Sequence, residues 1–127
     1  KNMVKINQIY RCPICGNIVE VVHAGGGELV CCGQPMELLE PKSQDVGLEK
    51  HLPVIEKTNE SITVKIGSIP HPMDDAHYIE LIEIIADDKI YRKFLKPGQE
   101  AVAIFNITSE NVIARAYCNI HGLWQTN

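Results

Sequence analysis

With 127 residues, 45% of them hydrophobic, the chain is long enough for one good core, or for a modest core beside a small stapled module. A charged fraction of 22% argues against wholesale disorder, and a net charge of −4 with no Lys/Arg block disfavours nucleic-acid binding, which needs a concentrated basic face. No apolar run reaches the ~18 residues of a membrane span, and Lys1-Asn2-Met3-Val4-Lys5-Ile6 lacks the apolar stretch and cleavage site of an export signal, so the cytoplasm is the expected compartment.

Residues 1–40 form a Cys- and Gly-rich block in which three basic and four acidic residues give a net charge of −1. Cys12-Pro13-Ile14-Cys15-Gly16 is followed, fourteen residues on, by Cys31-Cys32-Gly33. A Cys-x-x-Cys loop with a following glycine lets two thiolates grip one ion from a tight turn. Gly16 permits the positive φ such a knuckle needs, and its N–H is a candidate donor to a sulfur. Bridging Cys31 to its neighbour Cys32 would strain the disulfide and the peptide between them, and the total of five cysteines is odd. Four thiolates on one tetrahedral metal is the better reading, and the spacing leaves iron and zinc open. Ile18–Val22 and Glu28–Cys31 read as short strands around Gly25-Gly26-Gly27, and a core that small needs a metal staple. His23, at a strand end before the glycines, reads as an exposed histidine.

Glu40-Pro41-Lys42-Ser43-Gln44-Asp45-Val46-Gly47 is polar with Pro and Gly and reads as a linker. Residues 41–127 read as all-β. Ile62-Thr63-Val64-Lys65-Ile66 alternates as a half-buried strand does. Tyr78–Ile85 is rich in β-branched residues but alternates imperfectly, so helix competes there. Asp87-Asp88 is a hairpin turn into Lys89–Leu95, Pro97-Gly98 turns into Ala101–Ile107, and Ile113–Cys118 is a last strand. Turn signals about every ten residues suggest a β-sandwich.

This second block also holds His51, His71, His77, Cys118 and His121. Cys118-Asn119-Ile120-His121-Gly122 is a Cys-x-x-His chelate with a glycine after it. His71 lies between Pro70 and Pro72, six residues before His77, which places it on a loop. Several imidazoles with one thiolate suit a redox-active first-row metal, iron or copper, better than Mg²⁺ or Ca²⁺.

Cys12-x-x-Cys15, Cys31-Cys32, Glu49-Lys50-His51, His71-Pro72-Met73, His77 and Cys118-Asn119-Ile120-His121-Gly122, in that order, closely resemble desulfoferrodoxin, the two-iron class of superoxide reductase. The resemblance covers nearly the whole chain and implies two irons. A desulforedoxin-like (rubredoxin-like) domain over residues 1–40 holds one iron on Cys12, Cys15, Cys31 and Cys32. An immunoglobulin-like β-sandwich over 41–127 holds the other, with His51, His71, His77 and His121 equatorial and Cys118 axial. His121 would ligate through Nδ1 and the others through Nε2. The resemblance further implies that Lys50 steers superoxide and orders water, that Glu49 caps the resting ferric site, that the donor is a rubredoxin-like protein, and that the chain is a homodimer. The family motif often has Gly-His-Trp where this chain has Gly122-Leu123-Trp124, a change at a non-ligand. Backbone N–H groups from Asn119 to His121 are candidate donors to the axial sulfur. The reading from another class is a non-catalytic iron electron-transfer module or a zinc-stapled binding module. Five protein ligands with one open position favour catalysis.

Overall fold

The computed structural model describes residues 4–44 and 50–126. Glu49, and Asp45 to Gly47 of the expected linker, lie outside the described residues. The chain divides into two compact units, Lys1–Glu40 and Pro41–Asn127. Among the described residues the regular elements are all strands, so the chain is all-β.

In the first unit, β1 (Ile9–Arg11) sits between β2 (Ile18–Glu20) and β5 (Glu37–Leu38), both antiparallel to it. β3 (Val30–Cys31) and β4 (Gln34–Pro35) make a second, two-stranded hairpin. The core is Val4, Tyr10 and Val21, with Leu29, Met36 and Leu38 half-buried against it. Burying a large apolar side chain yields roughly 1.5–3 kcal/mol, whereas ordering each residue's backbone costs about 1–2 kcal/mol. So small a core leaves this unit dependent on another tie.

The second unit is a sandwich of two antiparallel sheets. One has the order β10-β7-β6, built from β6 (Pro53–Lys57), β7 (Ile62–Ile66) and β10 (Val102–Phe105). The other has the order β12-β11-β8-β9, built from β8 (Ile79–Ala86), β9 (Lys89–Phe94), β11 (Val112–Cys118) and β12 (Gly122–Gln125). The alternation of Ile62-Thr63-Val64-Lys65-Ile66 turns Ile62, Val64 and Ile66 into the core, where they meet Ile79, Ile82, Ile84, Ala103, Phe105, Ala114 and Ala116.

Where helix competed, over Tyr78–Ile85, the structure has strand from Ile79 onward, within β8. Its alternation fails because Glu83, between the core residues Ile82 and Ile84, is itself fully buried. Glu83 stands opposite Arg115 of β11 and Arg92 of β9 in the sheet register. It accepts from Arg115 Nε at 2.7 Å and from Arg92 Nε at 2.7 Å. The expected turns are in place: Asp87 has φ 59° and Gly98 φ 88°. The linker expectation needs amending at Lys42, which forms a parallel bridge with Trp124 and runs beside β12.

Antiparallel pairing sets where loops emerge. The start of β6 is beside the end of β7 (Pro53 opposite Ile66), and the start of β8 is beside the end of β11 (Ile79 opposite Cys118). The β11–β12 turn follows directly, with Cys118 opposite Gly122. His51, the His71–His77 loop and Cys118–His121 therefore all belong to connections at one end of the sandwich.

Candidate metal centres

In the first unit, the knuckle closes through Cys12 N–H to Asn17 O (2.8 Å) and Gly16 N–H to Cys12 O (3.0 Å). Gly16 has φ 81°, as the sequence requires. Its N–H goes to a carbonyl, however, and the donors facing sulfur are Cys15 N–H to Cys12 Sγ and Asn17 N–H to Cys15 Sγ, each at 3.5 Å. The adjacent pair is accommodated by a left-handed backbone, φ 53° at Cys32 and 78° at Gly33. That turn brings Cys31 Sγ to 3.9 Å from Cys32 Sγ and 3.7 Å from Cys15 Sγ. A left-handed non-glycine residue is uncommon, and here it is what lets neighbouring residues point at one centre.

These contacts split the thiols. Cys12 is pulled down to about 6, first by the Cys15 backbone N–H. Cys32 is pushed up to about 12 by hydrogen bonding with Cys15 and then Cys31, and Cys31 is raised chiefly by Cys15. Crowded sulfurs cannot all shed protons without a cation among them. The four Sγ atoms lie within 4.8 Å of one another, a donor set that fits iron or zinc.

In the second unit, the donor atoms of His51, His71, His77, Cys118 and His121 also lie within 4.8 Å of one another. The four imidazoles follow one another in a closed ring. Centroid separations are 4.6 Å from His51 to His71, 4.9 Å from His71 to His77, 5.1 Å from His77 to His121 and 4.8 Å from His121 to His51. Each neighbouring pair meets edge to face, at 61–86°. Blades set this way around one point suit four nitrogens offered to one ion. His51 Nε2 and His121 Nδ1 face each other at 3.1 Å, and His121 Nδ1 is 3.8 Å from Cys118 Sγ. His71 Nδ1 is 2.7 Å from Pro72 O. A carbonyl only accepts, so Nδ1 carries the proton and Nε2 the lone pair.

The backbone holds these side chains in place. The β8–β11 register shifts between Tyr117 and Cys118, an irregularity of the kind that re-aims a side chain beside a site. His77 is fixed by a tight turn, with Asp74 N–H to His77 O at 2.9 Å and His77 N–H to Asp74 O at 3.1 Å. Asn119 joins two ligand segments: its Oδ1 accepts from Tyr78 N–H (2.9 Å) and its Nδ2 donates to Ala76 O (3.1 Å). Of the N–H groups expected near the Cys118 sulfur, that of His121 reaches Cys118 Sγ at 3.4 Å, whereas that of Asn119 goes to Tyr78 O at 3.2 Å.

Sequence reasoning overlooked three supports. Trp124 stacks on His51, centroids 4.5 Å apart and planes 10° from parallel. Lys42 touches both that ring and the His121 carbonyl. Gly67 lies so close to Lys50 that a Cβ there would fall 2.6 Å from the Lys50 carbonyl oxygen. Only Gly67 carried a local hint, as a glycine ending a strand pattern. Lys50 is half-buried and adjoins His51, while His23 is exposed and belongs to neither donor group.

A small four-sulfur unit and a β-sandwich with a four-imidazole, one-thiolate centre define a two-centre, all-β metalloprotein. Family models described as "Desulfoferrodoxin, N-terminal domain" and "Desulfoferrodoxin" match residues 4–39 and 43–127. The chain belongs to the desulfoferrodoxin family, and its two donor groups match that family's two iron sites. It is 60% identical over 124 residues to a desulfoferrodoxin homolog of Archaeoglobus fulgidus, covering 98% of this chain and 99% of that one. It is 55% identical over 118 residues to the desulfoferrodoxin of Nitratidesulfovibrio vulgaris, covering 93% and 94%. The solved superoxide reductase of Treponema pallidum superposes with a TM-score of 0.77 at 25% identity, covering 94% of this chain and 97% of that one.

Proposed function

We propose that the chain is a superoxide reductase, catalysing O₂•⁻ + e⁻ + 2H⁺ → H₂O₂ at the centre formed by His51, His71, His77, His121 and Cys118. The observation that carries this reading is the ring of four imidazoles beside a buried thiol. Five protein donors would leave a six-coordinate iron one position for a small ligand. Iron bound there supplies the electron. Neutral imidazoles and a single thiolate leave the ferrous centre net positive, which offsets the chain's overall −4 for an anionic substrate. The His121 N–H held on Cys118 Sγ tempers how much charge the sulfur donates. Lys50, next to His51, steers superoxide and orders the water that delivers protons, and Glu49 is assigned the capping role in the resting state.

The unit Lys1–Glu40 is read as a desulforedoxin-like iron domain, with Cys12, Cys15, Cys31 and Cys32 as ligands. A small rubredoxin-like protein is the proposed electron donor and a homodimer the proposed assembly. Cysteines grouped for metal rather than paired as disulfides favour the reducing cytoplasm.

Pulse radiolysis of the reduced, iron-loaded chain with simultaneous oxygen measurement tests the activity. Peroxide formed without oxygen release is expected. Stoichiometric oxygen would make it a dismutase, and no reaction with superoxide would leave an electron carrier.

A further inference from the structure

Lys42 makes contacts that a linker residue has no need of. Its backbone is pinned beside β12, with Lys42 N–H to Leu123 O and Gln125 N–H to Lys42 O both at 2.9 Å. Its Nζ donates to the His121 carbonyl at 2.7 Å and lies 5.1 Å from the centroid of the Trp124 ring. That ring is 3% exposed and stacks on His51. The Trp124 Nε1 donor is buried without a hydrogen-bond partner among the described residues. What the indole presents to His51 and to Lys42 is its ring. One ammonium thus bears on two of the four imidazole residues: on His121 through its carbonyl, and on His51 through the indole that both contact.

We propose that Lys42 is a positioning residue of the five-donor centre. It fixes the His51–Trp124 stack and the His121 turn, and its charge raises the reduction potential of the iron held there. The electrostatic sense follows from the charges. A fixed cation close to the site disfavours the more positive ferric state, so removing it makes iron easier to oxidise and harder to reduce. The inference rests on the iron reading of that centre, but its readouts do not involve superoxide.

The test is redox titration of the full, iron-loaded chain, following the thiolate-to-iron absorption band, for the parent, Lys42→Arg, Lys42→Met and Lys42→Gln. Lys42→Met keeps an apolar stem against the indole while losing the charge, and Lys42→Arg keeps the charge and stacks on the ring. The midpoint potential should fall in Lys42→Met and Lys42→Gln by up to a tenfold change in the ferric–ferrous equilibrium, about 59 mV for one electron. Lys42→Arg should stay near the parent. A stabilising contact alone would lower the melting temperature of Lys42→Met and leave its potential unchanged, and that result overturns the proposal. So would Lys42→Arg falling as far as Lys42→Met. If the parent itself lacks the band, the iron reading of the centre fails, separately from Lys42.

Discussion

Gly67→Ala offers a sharp test of how the site is held. Residue 67 follows β7 in sequence and packs on the backbone of Lys50, the residue before His51. An added Cβ would lie 2.6 Å from Lys50 O, 2.7 Å from its carbonyl carbon and 2.9 Å from its Cβ, whereas ordinary contact begins at 3.4 Å. Two of those three atoms are backbone, so no rotamer change relieves the clash. The two segments must part by about 0.8 Å, and His51 moves with its neighbour. His51 Nε2 is 3.1 Å from His121 Nδ1, so a shift of that size is a large fraction of the ligand spacing. Misplacement by about 1 Å costs on the order of 100-fold in rate. Gly67→Ala is therefore expected to lower the second-order rate constant with superoxide by roughly two orders of magnitude per bound iron, measured by pulse radiolysis with iron assayed on the same sample. Ser68→Ala, at the exposed next position, serves as the control. A Gly67→Ala chain with parental iron content and a rate within twofold of the parent would refute the idea that this approach seats His51.

Lys50→Ala should slow the reaction with superoxide about tenfold, on the order of 1.4 kcal/mol, and flatten its dependence on ionic strength, both read by pulse radiolysis at several salt concentrations. Glu83→Gln leaves Arg115 buried against a neutral amide, so calorimetry of the iron-loaded chain should show a loss of roughly 3–5 kcal/mol; a loss under about 1 kcal/mol contradicts the buried-pair reading. At the four-sulfur site, metal competes with protons, so its affinity rises with pH. Cys12 has already released its proton above about 6 while Cys32, pushed up to about 12, still holds one, so the slope of log affinity against pH between 7 and 9 should fall below four in metal titrations. Chelation should unfold Lys1–Glu40 and leave the sandwich folded, seen in amide exchange as protection lost from β1 and β2 and kept in β8 and β11.

What the sequence disclosed follows from how local each signal is. Cys12 to Cys15 and Cys118 to His121 are chelates within a few residues, legible from spacing alone. Ile62–Ile66 shows its buried face because that strand alternates without interruption. Tyr78–Ile85 stayed ambiguous because Glu83 is made acceptable by Arg92 and Arg115 on other strands, and no single segment carries that information. β12 was hidden because its four residues begin at the glycine that closes the Cys-x-x-His turn. His51 lies 70 residues from its partner His121, and Lys42 lies 79 from it, so composition could count His51 among the imidazoles but only family resemblance gave it a ligand's place, and Lys42 emerged only through the fold.

The two centres stand in opposite relations to their folds. The sandwich carries a broad apolar core, and its ligand loops are tied by hydrogen bonds that involve no ion: Asn119 across two loops, the Asp74–His77 turn, and His71 Nδ1 on Pro72 O. Those ties and that core support the ligand segments apart from any ion, so binding energy there goes chiefly into selecting and tuning the ion rather than into folding. The first unit has a core of a few side chains, and its sulfurs sit at odds with one another until a cation arrives. There the binding energy is folding energy. A site whose loops are tied by the surrounding fold can leave a coordination position open without collapsing. A site whose metal must hold a small fold together needs every ligand it has. That difference, more than the choice of nitrogen or sulfur, is why the chemistry is assigned to the imidazole centre and structural support to the four cysteines.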